Sequence, residues 1–502
     1  MRTKNAILNL ITSFIAKIIV ILYGLIIPKL IIVKYGSEVN GLITSISQFL
    51  AYITLLESGF GPVVTAALYK PIANKDNKII ANILKFSERF FRKISYIFLA
   101  YIVILSIIYP LIISSSFDYL FTMSLVIIIA ISTFAEYYFG MAFRLYLQAN
   151  QKTYIISIIQ IITYLLSMSL MILFIKLNLG IHLVKAIGAI AFTLRPLLQN
   201  IYVKKKYNIN LNESDSNFNL VNKWDGLAQH IASVIHRNTD VTLLTFFSTL
   251  KEVSVYSVYS LIVTGVKSLI VPISNSFEAG FGDMIAKGEI DNLNKKFKIY
   301  EILYYSIVVL IFSSALILII PFIKLYTSGV TDTNYINYTF AVLIVLAEYV
   351  CCLRLPYISI TYAGGYFKET RKGAWIEAFS NIIISLLLIK KYNLIGVAIG
   401  TLFAMTYRAI EFMIFSSKVI LKRPYWHFIK MILYVVFLTT IIIFINNYIS
   451  FKVYNYFDWI KYATITVSIS SLIIIIFDLI FFKKYIIHLK KYIHLIGRRK
   501  KF

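Results

Sequence analysis

The sequence predicts an all-α polytopic membrane protein of about fourteen transmembrane helices, built as two six-helix lobes around a central cavity plus two carboxyl-terminal helices. Three observations predict it. Of 502 residues, 59% are apolar and only 15% charged, where a soluble chain carries roughly a quarter. Apolar runs close to the roughly 20 residues that cross a hydrocarbon core recur from end to end. The Lys and Arg residues between those runs alternate in density from one side to the other. Lipid offers backbone groups no partners, so the runs are helices or a closed barrel, and they are too long and continuous for barrel strands.

The first six spans are Ala6–Val33, Gly41–Tyr69, Ile94–Ser114, Tyr119–Ala142, Tyr154–Ile175 and Leu183–Val203. The first is read as a span rather than a cleaved signal peptide, because it is too long and Lys17 interrupts it. The polar stretch Lys204–Gly226 follows as a linker. The second six are Leu227–Ser248, Val253–Asn275, Ile299–Ile323, Tyr338–Ile360, Ala374–Ile389 and Leu394–Phe415. Phe428–Ile449 and Ile460–Phe482 complete the set. The expected divisions are therefore residues 1–203 and 227–418 for the lobes, 204–226 for the linker, 419–482 for the added pair and 483–502 for a basic tail.

Orientation follows from the cations. Segments on the amino-terminal side hold 33 of the 50 Lys and Arg residues and the opposite loops hold 7. Positive residues stay on the cytoplasmic side, so both termini are expected there, with the chain in a bacterial cytoplasmic membrane. This bias accounts for much of the net charge of +27 and removes the argument for nucleic-acid binding. In the tail, Ile486, Leu489, Ile493 and Ile496 share one helical face among cations, a pattern that suits an interfacial helix on anionic lipid or a disordered basic tail. The cysteines, Cys351 and Cys352, are adjacent within a span and offer neither a disulfide framework nor metal spacing.

Weak internal similarity supports the two lobes. Glu38-Val39 and Glu252-Val253 precede or enter matching spans. Ser58-Gly59-Phe60-Gly61 and Ala279-Gly280-Phe281-Gly282 then occupy corresponding places. Six spans per lobe give both lobes the same orientation, related by an axis along the membrane normal.

Charged residues inside spans are costly and face protein or water. The first span carries Lys17. The sixth carries Lys185, Gly188, Phe192, Arg195 and Gln199 on one stripe. The seventh carries Gln229, Ser233, His236, Arg237 and Asp240, and the eighth Ser257, Ser260, Thr264 and Lys267. These faces are expected to line a wet interior. Lys17, Arg195, Arg237 and Lys267 each lie about 8 to 11 residues from the cytoplasmic end of a span, a common depth at about 1.5 Å per residue. Four cations at one depth suit a phosphate-bearing ligand. Local neutralisation is the competing account: Arg237 with Asp240 three residues on, and Lys17 with Glu57 or Glu348. Arg195 and Lys267 have no acid three or four residues away. Arg408 and Glu411 read as a structural pair, and Arg354 as snorkelling to the interface. Glu57, Glu136, Glu348 and Asp240 are candidates for ion coupling or ion pairing.

Three stretches carry a family resemblance: Asn5-Ala6-Ile7-Leu8-Asn9-Leu10 with Tyr35-Gly36-Ser37-Glu38-Val39-Asn40-Gly41-Leu42; Ser58-Gly59-Phe60-Gly61 with its basic loop; and Asn238-Thr239-Asp240 through Tyr256-Ser257-Val258-Tyr259. In these the chain resembles the polysaccharide repeat-unit flippases of the multidrug/oligosaccharidyl-lipid/polysaccharide exporter superfamily. The resemblance implies an alternating-access transporter, not an enzyme. It implies a polyprenyl-diphosphate-linked oligosaccharide as substrate, for lipopolysaccharide, capsule or a similar surface polymer. It also implies a cationic cavity, matched here by Lys17, Arg195, Arg237 and Lys267. Expected partners are that substrate, membrane lipids, and a polysaccharide polymerase with glycosyltransferases. No cofactor is expected, and a coupling H+ or Na+ is left open. Lipid II flippases and cation-coupled drug exporters of the superfamily are the alternatives. A membrane polymerase or glycosyltransferase would need clustered acids on an outward domain. The outward loops carry Glu38, Asp118, Glu252, Asp332 and Asp458 singly.

Overall fold

A computed structural model describes residues 2–57, 59–113, 116–207, 227–449 and 451–499; the side chains of 2–4, 227–230 and 486–499 lie outside this description. The described residues are mostly helical, with no strand among them. The fold is that of an all-α polytopic membrane protein, and it divides into two compact units, Met1–Ser254 and Val255–Phe502. Most of the expected linker lies outside the described residues.

In the first unit, α1 is Arg2–Tyr35, and the second span is broken into α2 (Ser37–Ala51), α3 (Thr54–Glu57) and α4 (Phe60–Asn74). Then come α5 (Asn77–Ile112), α6 (Tyr119–Ala135), a π-helical turn Glu136–Gly140, α7 (Met141–Ala149), α8 (Thr153–Lys176), α9 (Ile181–Tyr207) and α10 (Leu227–Phe247). The helix α11 (Leu250–Asn275) starts before the division and leads into α12 (Glu278–Ala286), α13 (Ile290–Tyr326), α14 (Tyr338–Leu353) and α15 (Leu355–Ala363). Finally α16 (Arg371–Phe415) continues through a π turn, Ser416–Ile420, to α17 (Trp426–Asn447) and α18 (Tyr456–Arg499). Twelve helices among the described residues are long and apolar enough to cross a membrane. One of them breaks at Asn393 (φ 45°), which separates the eleventh and twelfth expected spans. The seventh, α10, is too polar for that set.

Helix ends follow local chemistry. Asp76, Asp118 and Asn337 each accept a hydrogen bond from a backbone N–H of the first turn of α5, α6 and α14. The helix α5 begins at Asn77, well before the Ile94 expected from hydropathy. Ile80, Ile83, Leu84, Ser87 and Phe91 bury one face while Lys85, Arg89 and Lys93 occupy others. Such an amphipathic extension falls below any span threshold yet is fixed by packing. The same holds for the start of α13 at Ile290, before the expected Ile299.

The sequence repeat is a structural repeat. The second and fourth spans, and likewise the eighth and tenth, are interrupted (the fourth by the π turn), and within each pair the half-helix beyond one interruption packs on the half-helix beyond the other. In the first unit α4 lies on α7, and a side chain at Gly61 would meet Leu145 at 3.5 Å. In the second unit α12 lies on α15, and a side chain at Gly282 would meet the Ala363 carbonyl at 3.5 Å. The phenylalanine between the glycines is buried in both. Phe60 stacks on Phe90 of the third span at 3.7 Å, and Phe281 packs on Phe297 and Tyr300 of its counterpart at 5.7 and 5.4 Å.

The polar character of α10 has a packing explanation. Asn238, Thr242 and Thr245 share a face and hydrogen-bond Gln48 of α2, Tyr52 at its end and Ser45 of α2, respectively. These are not the residues of the wet face expected from spacing. The α9 stripe likewise serves packing: Gly188 abuts Met171 of α8, and Phe192 sits edge-on to Tyr23 of α1 and Tyr164 of α8. The basic tail continues α18 beyond a kink at Phe482, as helix to Arg499.

Candidate functional site

Two clusters, one in each unit, are built around glutamates of the fourth and tenth spans. In the first unit Glu136 opens the π turn between α6 and α7. An inserted residue of this kind rotates the following side chains relative to an α-helix. Arg195 of α9 donates from Nη2 to Glu136 Oε2 at 2.6 Å, and Arg144 of α7 donates from Nη1 to Oε1 at 2.7 Å. Helix α9 comes this close because position 140 is glycine: a Cβ there would lie 2.4 Å from the Pro196 side chain. One carboxylate between two guanidiniums gives this triad one excess positive charge, and a second carboxylate lies nearby. Tyr137 donates to Glu57 of α3 at 3.3 Å beside this cluster.

In the second unit Lys267 of α11 donates to Glu348 Oε2 of α14 at 2.7 Å. Its ammonium also lies 3.2 Å from Cys351 Sγ, one turn further along α14. Cys351 and Cys352 are buried and free. The polar face of α11 bearing Ser257, Ser260, Thr264 and Lys267 is part-exposed.

Several sequence expectations change here. Arg195 and Lys267 lack an acid three or four residues away but acquire one from the fourth and tenth spans respectively, contacts that sequence separations of 59 and 81 residues conceal. Glu348 is engaged by Lys267, the partner that spacing had not suggested, and Lys17 is a part-buried residue of α1. The Arg237–Asp240 neutralisation does not form: Asp240 is buried, whereas Arg237 is exposed and donates to the Ser233 carbonyl at 3.3 Å. Arg237 has no other polar partner among the described residues. Arg354 does not snorkel; it donates to Glu377 at 2.5 Å. Arg408 pairs with Glu411 as expected, and also approaches Glu377 at 3.5 Å and the Thr370 carbonyl at 2.9 Å.

Three residues were missed from sequence. Arg144 read as a loop cation because the fourth span was ended at Ala142, whereas the helix runs to Ala149. Glu377 and Glu301 are buried acids near span ends. Glu377 bridges Arg354 and Arg408, and Glu301 meets Lys298, Arg423 and Tyr357. A signal existed: an acid within or beside an apolar run with no local cation needs a distant one.

The second unit also holds an apolar groove of about 920 Å³ between α13, α14, α16, α17 and α18. Ile320, Val342, Ile410, Leu433 and Val436 are among its walls.

No family model matches the chain, and no curated protein matches it. The fold, however, is shared with solved transporters. A lipid II flippase, MurJ, in an inward closed conformation superposes with a TM-score of 0.71 over 96% of this chain and 100% of its own, at 17% identity. An inward-facing MATE multidrug transporter of the MOP superfamily gives 0.59 over 79% and 93%, at 13% identity. A MOP superfamily transporter from Pyrococcus furiosus, described by a binding pocket of reverse polarity, gives 0.57 over 84% and 97%, at 12% identity.

Proposed function

We propose that the chain is a flippase that moves a polyprenyl-diphosphate-linked oligosaccharide across the bacterial cytoplasmic membrane for surface-polysaccharide assembly, by alternating access. The observation that carries this reading is the Arg144–Glu136–Arg195 cluster. It keeps two guanidiniums and a carboxylate together in an apolar unit, where charge is costly without use. A diphosphate has four or more acceptor oxygens and can take a guanidinium fork from the carboxylate that holds it. Lys267 and Glu348 supply a second cation that the same exchange can release. The groove of about 920 Å³ has the apolar lining that a prenyl chain requires. Transport needs no covalent chemistry, since a polar path for the head group is enough. Both termini are cytoplasmic in this reading, and the polymerase and glycosyltransferases of the same polymer are the natural partners.

The test is export. Arg195→Ala and Lys267→Ala should abolish surface polysaccharide while the protein still reaches the membrane. Unchanged surface glycan in the double variant would end this reading. Lipid II as cargo is the second reading, favoured by the likeness to MurJ along that protein's full length. It would replace the first if the chain restored growth to cells depleted of their own lipid II flippase. Loss of resistance to a cationic drug on replacing Glu57, Glu136 or Glu348 would instead indicate an exporter.

A further inference from the structure

A cavity of about 500 Å³ opens beside the Glu136 cluster, wholly within the first unit. It lies between α4 and α7, the two half-helices that pack beyond the interruptions. Thr65 and Tyr69 stand one turn apart on one wall, Arg144 and Gln148 one turn apart on the other, and Glu57 of α3 completes the lining. Gly61, also in the lining, puts no side chain into this space, where a Cβ would meet Leu145 at 3.5 Å and Glu57 Oε1 at 3.6 Å. Its volume falls within the roughly 300–1,000 Å³ of ligand pockets.

The lining narrows the class of ligand. Glu57 and Arg144 place opposite charges in one small cavity, so neither a bare phosphate nor a simple cation finds a uniform field. Three flat polar groups, a carboxylate, a guanidinium and an amide, offer both acceptors and donors. Arg144 spends one of its five N–H donors on Glu136. Among the described residues neither the Gln148 amide nor the Tyr69 hydroxyl has a hydrogen-bond partner. A hydroxyl donates and accepts at once, so a polyol satisfies both signs. The Tyr69 ring and the apolar side chains between the polar groups suit the C–H face of a pyranose.

We infer that this cavity is a sugar-binding subsite, which takes one or two residues of the glycan while Arg195 is reserved for the diphosphate. Arg144 belongs to both places, through Glu136 on one side and the cavity on the other, and so links sugar recognition to the cation cluster. The inference rests on the proposed cargo, and it assigns glycan selectivity to residues of the second and fourth spans.

The test uses full-length protein in lipid nanodiscs. The probe is the water-soluble oligosaccharide freed by mild acid from the host's lipid-linked intermediate, without lipid or diphosphate. Binding is read by saturation-transfer NMR and calorimetry. Wild type should bind it; Tyr69→Ala and Gln148→Ala should weaken binding by at least about tenfold. Ala66→Trp fills the cavity while leaving every polar group in place, and should do the same. Tyr69→Phe, which keeps the ring, should retain most of the affinity, and the exposed Lys287→Ala should be unchanged. Equal binding by wild type, Tyr69→Ala, Gln148→Ala and Ala66→Trp overturns the subsite. So does a wild type that binds the intact lipid-linked substrate but not the free glycan, and that result leaves the flippase reading standing. A protein that binds neither probe overturns both.

Discussion

Arg195 Nη2 lies 2.6 Å from Glu136 Oε2, and the opposite oxygen of the same carboxylate is held by Arg144 at 2.7 Å. The glutamate is thus doubly paired, and each arginine singly. Removal of the acid and removal of one base therefore have unequal consequences. Arg195→Ala leaves Glu136 paired with Arg144, so the folded protein should persist and transport should fail. Arg195→Lys should restore part of the transport, since charge survives and the fork does not. Surface-glycan staining, normalised to membrane-inserted protein, checks both.

Glu136→Gln leaves two arginines uncompensated. The site is about one-fifth exposed, so the cost is about 2 kcal/mol, below the roughly 3–5 kcal/mol of a fully buried pair. A thermal-shift measurement on detergent-purified protein should show a lower midpoint for Glu136→Gln than for Arg195→Ala. The reverse order would mean that Arg195 is mainly structural.

The Lys267–Glu348 pair separates stability from transport by a double-mutant cycle. Lys267→Ala strands a carboxylate and Glu348→Ala strands an ammonium, so each alone should destabilise. The double variant should recover stability but remain inactive in export. Recovery of export as well would make the pair a structural one.

Glu377, by contrast, bridges Arg354 and Arg408 in a cluster closed by Glu411 and the Thr370 carbonyl. Glu377→Ala should cost about 3–5 kcal/mol, because Arg354 loses its carboxylate partner while Arg408 keeps Glu411 and the Thr370 carbonyl. The expected readout is loss of folded protein in size-exclusion traces, with normal transport per surviving molecule. Gly140→Leu should likewise prevent folding, since its Cβ alone would sit 2.4 Å from Pro196.

Topology and tail are tested together. A reporter active only outside the cytoplasm should be dark when fused at Phe502 and bright near Ser115. Truncation after Lys484 removes the helix beyond the Phe482 kink, and should lower protein abundance more than transport per molecule. Normal abundance with no transport would give the tail a direct role.

How much of this was legible in sequence depends on the range of the interaction. Hydropathy located the spans because lipid forces each apolar run to satisfy its own backbone. The two Gly-Phe-Gly segments pointed to a repeat, and Phe60 and Phe281 are both buried. Spacing along one helix also identified Arg408–Glu411. Partners of Arg195, Lys267 and Arg354 could not be read, since each acid lies on another helix and no local rule ranks distant acids. Polar faces were identified as polar, yet whether they meet water or another helix was decided by packing: the α10 face turns to α2, and the α9 stripe to α1 and α8. Arg144 depended on where a helix ends, and hydropathy cannot see a half-helix whose polar side lines a cavity. By itself the sequence determined the apolar helices, their order and the charge on their flanks, which are local quantities. Tertiary structure alone decided which buried charges meet, because that depends on how helices far apart in the chain come together.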